Sequence, residues 1–141
     1  MKDEASPITP DEWMLRLIWI DFYKPELAIS IRDRAFTPRT NESDGISMFR
    51  LACVNNPEDI LAVIAPEKRE KYVLASLSVA EILELGLTVQ PSKITGVAGH
   101  VVIPELTIEF LTAEGGACQM LQKKLAQIAA RRLILPGDSQ P

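Results

Sequence analysis

The chain has 141 residues, is 47% hydrophobic and 24% charged, and carries a formal net charge of −4. That size suits one domain with room for a real core, and the composition is that of a soluble globular protein. The acidic balance gives no footprint for non-specific nucleic-acid binding, and no apolar run nears the roughly 20 residues of a membrane helix.

The opening MKDEASPITP lacks the apolar stretch of a signal peptide, so the expectation is a cytoplasmic protein. Residues 1–8 and 136–141 are expected to be disordered tails around a single domain, 9–135. Thr9-Pro10-Asp11-Glu12 carries a capping-box signature and predicts a helix start. The WMLRLIWI that follows is apolar on more than one face, which suits a helix or a helix-to-strand segment. Residues 27–31 and 46–54 predict strands, separated by a Pro-, Ser- and Asp-rich loop over 37–45.

Asn56-Pro57-Glu58-Asp59 starts a second helix that Pro66 ends, and the charged EKREK of 67–71 reads as a solvated turn. A strand over 72–77 leads into Ser78-Val79-Ala80-Glu81, a second capping box, whose short helix stops at Gly86. Residues 87–89 predict a strand, Pro91 and Ser92 a turn, and 101–103 and 106–111 two more strands. After Gly115-Gly116, helical spacing of Cys118, Leu121, Leu125 and Ile128 predicts an amphipathic helix over about 116–133. Together these predict an α+β domain: a small mixed β-sheet with helices packed on one side and a C-terminal amphipathic helix.

The chemistry-bearing residues concentrate early. Residues 29–50 hold Arg32, Arg34, Arg39 and Arg50, half of the eight arginines, beside Asp33, Glu42 and Asp44. Arginine is a fixed fork of donors suited to carboxylates and phosphates. If a strand continues through Arg32 and Arg34 they share a side, which favours a site for an anion or an acidic partner; a structural ion network is the other reading. His100 is the only histidine, able to act as an acid–base group or to be a bonded strand-edge residue. Glu105 could accompany it, and the expectation is that Arg32, Arg34 and His100 share one polar face.

Ser47 lacks a nucleophile elbow and reads as a strand residue. Gly115-Gly116 lacks the lysine of a P-loop. Cys53 and Cys118 have no metal-ligand spacing, so no metal or cofactor is expected. Trp13, Leu17 and Trp19 form an apolar surplus that suggests an interface.

The pieces resemble an uncharacterised family of small bacterial proteins. The likeness rests on Leu15-Arg16, on the Ser-x-x-x-x-Ala-Phe-x-Pro spacing of Ser30, Ala35, Phe36 and Pro38, and on Gly45-Ile46-Ser47. It continues through Leu85-Gly86-Leu87 to Pro91 and the strand from His100 to Pro104. The resemblance implies a shared site at Arg16, Ser47 and His100 and brings no activity with it. Two readings follow. The first is an accessory or regulatory module that binds a protein partner. The second is a small enzyme or ligand-binding domain acting on an anion such as a nucleotide through Arg32, Arg34 and His100. Convergence of the arginines and His100 on one concave pocket would favour the second.

Overall fold

A computed structural model describes residues 3, 5–39, 42, 44–92, 99–113 and 115–135. Trp13–Trp19 form strand β1, not a helix, with five consecutive buried residues. A run apolar on both faces suits a central strand, since a surface helix needs only one apolar stripe. Only half of the expected capping box forms: Thr9 N–H donates to the Glu12 carboxylate at 2.9 Å, while Glu12 N–H bonds the Thr9 carbonyl at 3.1 Å and the Thr9 hydroxyl donates to Asp11. They close a turn that feeds a strand.

The other strands are β2 (Ile46–Arg50), β3 (Tyr72–Ser78), β4 (Gln90–Pro91), β5 (His100–Ile103) and β6 (Leu133–Ile134). They make one sheet in the order β4-β5-β2-β1-β3-β6. Every pairing among these strands is antiparallel, where a mixed sheet was expected. The α-helices are α1 (Val79–Glu84), α2 (Ile108–Ala113) and α3 (Gly115–Ala129). The fold is α+β.

Alternation along β1 divides the core. Met14 and Ile18 point to one face, where they pack with Phe36, Val73, Ile82 and Leu125 beneath α1, α3 and the 3-10 turn Asp33–Phe36. Leu15 and Leu17 point to the other, with Phe49, Ile60 and Leu74 beneath the 3-10 turns Leu51–Cys53 and Pro57–Val63.

Local signals hold where they are strong. Ser78 and Glu81 form the reciprocal capping box of α1, and Gly86 takes the left-handed conformation at φ +81 just past its end. They fail where short apolar runs leave the period open. Residues 27–31 are no strand: only Ile31 bridges, to Tyr23, and Lys24 N–H donates to the Ser30 carbonyl to close a loop. Residues 106–111 enter α2, because the Thr107 hydroxyl accepts the Phe110 N–H and caps it. The expected helix after Asn56 is a 3-10 turn, and 67–71 fall in another, Pro66–Lys71, without a buried side chain. Residues 87–89 carry no strand; Gln90 and Pro91 do, on the sheet edge where a proline costs no ladder bond. The helix expected to about 133 stops at Ala129, and Leu133 and Ile134 turn back as β6 against β3.

Candidate functional site

Arg16 is not on the surface. It projects from β1 into the helix-covered side and is 1% exposed. Its guanidinium donates to the Ala35 carbonyl at 3.2 and 3.0 Å, to the Glu42 carboxylate at 2.7 Å and to the Ser47 carbonyl at 2.9 Å. Glu42, itself buried, also accepts the N–H of Ser47 at 2.7 Å and of Arg39 at 2.9 Å. Burial pulls the Arg16 guanidinium below its ordinary value against the pull of Glu42. Burial pushes the Glu42 carboxyl up, but Arg16 and the two N–H donors together outweigh it and hold it below the usual carboxylate range.

This ion pair replaces part of the sheet. β1 and β2 pair only at Met14–Arg50 and Leu15–Phe49. Two positions further along that register, where Leu17 would stand opposite Ser47, side chains bridge the strands instead. The Leu17 carbonyl accepts from Arg39, the Ser47 carbonyl from Arg16, and the Ser47 N–H donates to Glu42. The 37–45 loop is thus a wedge whose carboxylate and guanidinium finish the backbone bonding of two parted strands. Residues 40, 41 and 43 of that loop lie outside the described residues.

Arg50 is committed in the same manner. It grips Glu12 at 2.8 and 2.9 Å and donates to the Ser6 and Pro7 carbonyls, and the bonds to Glu12 raise its pKa. Residues 6 and 7, read from sequence as tail, are therefore tied to β2; residues 1, 2, 4 and the tail from 136 lie outside the described residues.

Ser47 and His100 do meet. His100 Nε2 lies 2.9 Å from Ser47 Oγ, and its ring stacks on Phe49 at 5.2 Å. Because Phe49 stands opposite His100 and Leu15 opposite Phe49, these side chains share the sheet face away from α3 and the Asp33–Phe36 turn. Gly96, which flanks His100 in the sequence, lies outside the described residues. Glu105 is engaged elsewhere, accepting from Thr88 N–H at 2.9 Å and from its hydroxyl at 2.6 Å.

Arg32 and Arg34 sit on the opposite side of the sheet, exposed, at the Asp33–Phe36 turn. Among the described residues neither guanidinium has an ion-pair partner. The turn is held from below by Arg16 on the Ala35 carbonyl and from the side by buried Gln122, which donates to the Phe36 carbonyl at 3.1 Å and to Thr37 Oγ1 at 3.2 Å. Between this segment and α3 runs a cleft in two lobes that share Arg32 and Asp33. The first, about 290 Å³, is walled by Leu27, Ile29 and Lys123. The second, about 660 Å³, is walled by Arg34, Gly115 and Gln119. Leu27 and Ile29 are 46% and 39% exposed, an apolar display at one end of a basic turn.

The residues expected at an interface part company. Leu17 is buried in the smaller core cluster. Trp13 is 37% exposed with the Arg132 guanidinium stacked over it at 4.4 Å. Trp19 is half-buried, edge-on to Tyr72 at 5.3 Å, and donates its indole N–H to Asp21 at 2.7 Å.

Arg32 and Arg34 were visible in the sequence, but the α3 wall was not. Its signal is the four-residue spacing of Gly115, Gln119, Lys123 and Gln127, an uninterrupted helical row without an acidic residue. Among the described residues no three His, Cys, Asp or Glu side chains gather as a metal site needs, and no helix is long and apolar enough to cross a membrane. Comparison with protein-family models, characterised proteins and solved structures finds no significant match.

Proposed function

We propose that this is a small bacterial, cytoplasmic interaction module, of the accessory or regulatory kind, that offers the cleft beside α3 to a protein partner. One observation carries the reading. Exposed Leu27 and Ile29 share a cleft with Arg32 and Arg34, while the other polar candidates, Arg16, Arg50, Ser47, His100 and Glu105, bond within the fold. Interfaces favour arginine beside apolar anchors, and a turn pinned in advance loses little freedom on binding.

The test is affinity capture from a bacterial extract, with the wild-type protein and the Leu27→Ser/Ile29→Ser variant side by side. A partner retained by the first and lost by the second supports the reading. A partner held equally by both places the interface elsewhere.

The polar lobe supports a second reading, a small anionic ligand such as a nucleotide, because Arg32 and Arg34 line it together. On that reading Arg32→Ala and Arg34→Ala abolish nucleotide binding in calorimetry, and Leu27→Ser leaves it unchanged.

A further inference from the structure

The cleft has a length and a charge, and the two together specify what it takes. Its helix wall runs from Gly115 to Gln127 along one four-residue row. At 1.5 Å per residue that is about 18 Å, the span of about five or six residues of extended chain. The two lobes join through Arg32 and Asp33, so one strand of chain can follow both.

Among the described residues the charges lining it are Arg32, Arg34 and Lys123 against Asp33, a local excess of two positive charges in a chain whose net charge is −4. Gln119 and Gln127, both exposed, supply neutral donors and acceptors along the same wall. One end is apolar, with Leu27 and Ile29 exposed above Ala126. Among the described residues no ion pair engages the two guanidiniums, and the Asp33–Phe36 turn is braced by Arg16 and Gln122 in the pose that presents them.

We propose that the cleft binds an acidic segment of a partner protein in extended form, with a large apolar side chain seated at the Leu27/Ile29 end and carboxylates on Arg32 and Arg34. This rests on reading the protein as an interaction module and adds the chemistry of its partner. Guanidinium groups pair carboxylates through two parallel hydrogen bonds, which sets the register of the segment. The apolar lobe contributes affinity by removing Leu27 and Ile29 from water. A basic or uncharged segment would leave Arg32 and Arg34 facing unpaired polar groups, so the cleft also selects against such partners.

The experiment uses the intact protein and synthetic peptides. The probe is a Leu-Glu-Glu-Glu-Glu-Leu peptide blocked at both ends, so that either chain direction offers an apolar anchor. Controls are the same peptide with glutamine for glutamate, the same with lysine, and inorganic phosphate alone. Amide chemical shifts locate binding, and fluorescence anisotropy measures it.

The acidic peptide should perturb residues 27–37 and the 115–127 row, bind more tightly at low salt, and lose about tenfold in affinity in the Arg32→Ala/Arg34→Ala variant. Leu27→Ser/Ile29→Ser should weaken it independently. These side chains are exposed, so the variants keep the wild-type melting temperature. If the glutamine peptide binds the cleft as tightly as the acidic one, the acidic assignment falls while the interaction module stands. If phosphate alone competes with the peptide at equal concentration, the site is one for small anions and the peptide proposal falls. Failure of every peptide to perturb the cleft overturns the acidic-segment proposal, and the capture experiment then decides the interaction module by itself.

Discussion

Glu42→Ala should destabilise the protein by about 4 kcal/mol, because it leaves the Arg16 charge in a site from which water is excluded. Arg16 and Glu42 side chains are 1% and 3% exposed, and their closest N–O approach is 2.7 Å. Removing one partner of such a pair typically costs about 3–5 kcal/mol, against a total stability of about 5–15 kcal/mol for a domain. The Ser47 and Arg39 N–H groups lose their acceptor in the same variant. They share a network with Arg16, so their costs fall within that figure and do not add to it. Urea unfolding followed by the fluorescence of Trp13 and Trp19 gives the midpoint, and an unchanged slope keeps the comparison two-state. The double variant Arg16→Met/Glu42→Leu is the sharper arm. Apolar replacement of an ordinary buried ion pair is often neutral. Here it strands the Ala35 and Ser47 carbonyls and the Ser47 N–H, each worth about 1–3 kcal/mol when unsatisfied, so the double variant should stay well below wild type. Wild-type stability in the double variant, or a loss under about 1 kcal/mol in Glu42→Ala, would refute the view that this pair completes the sheet.

Acid should act through the same carboxylate. The Glu42 pKa in the fold lies below its unfolded value, so its contribution is complete above the ordinary 4.5 and is lost as pH falls through that value toward the folded one. Urea midpoints between about pH 7 and about pH 3 should drop at the acid end, and Glu42→Gln should flatten the drop. Leu125→Ala empties a fully buried position under α3 and should cost about 2–5 kcal/mol; an unshifted melting temperature rejects that packing. Gly45→Ala meets both a φ of +126 and the Ile103 carbonyl oxygen, which the new methyl would overlap. It should lower the melting temperature sharply, where Gly115→Ala, with open space around it, should not.

The parts of the fold legible in the sequence are those whose signals are local. The Ser78–Glu81 box and the strand before it are fixed by neighbours within a few residues. Trp13–Trp19 misled because helix and central strand make the same demand on a run with no polar face, and only the partners β2 and β3 decide between them. Arg16 was noticed but not its destination. Glu42 stands 26 positions away, and nothing near either residue announces the pair. Arg32 and Arg34 were placed together for the wrong reason. They share a cleft through a turn and not through strand alternation, and His100 is carried to the far face by pairing with Phe49. The wall formed by α3 shows only as a spacing, since glutamine and glycine carry no charge to draw notice.

The parting of β1 from β2 gives the sheet a seam. On one side stands the leaf β4-β5-β2, on the other the leaf β1-β3-β6, stitched by two residue pairs and then by the 37–45 wedge. By contrast β1 and β3 pair at seven consecutive positions. Amide hydrogens of the β1–β3 ladder should therefore outlast those near Ser47 in exchange, and the molecule should open first as a book opens, along its spine. The Asp33–Phe36 turn hangs on that spine through Arg16, so one side chain ties the pages to the clasp that faces a partner.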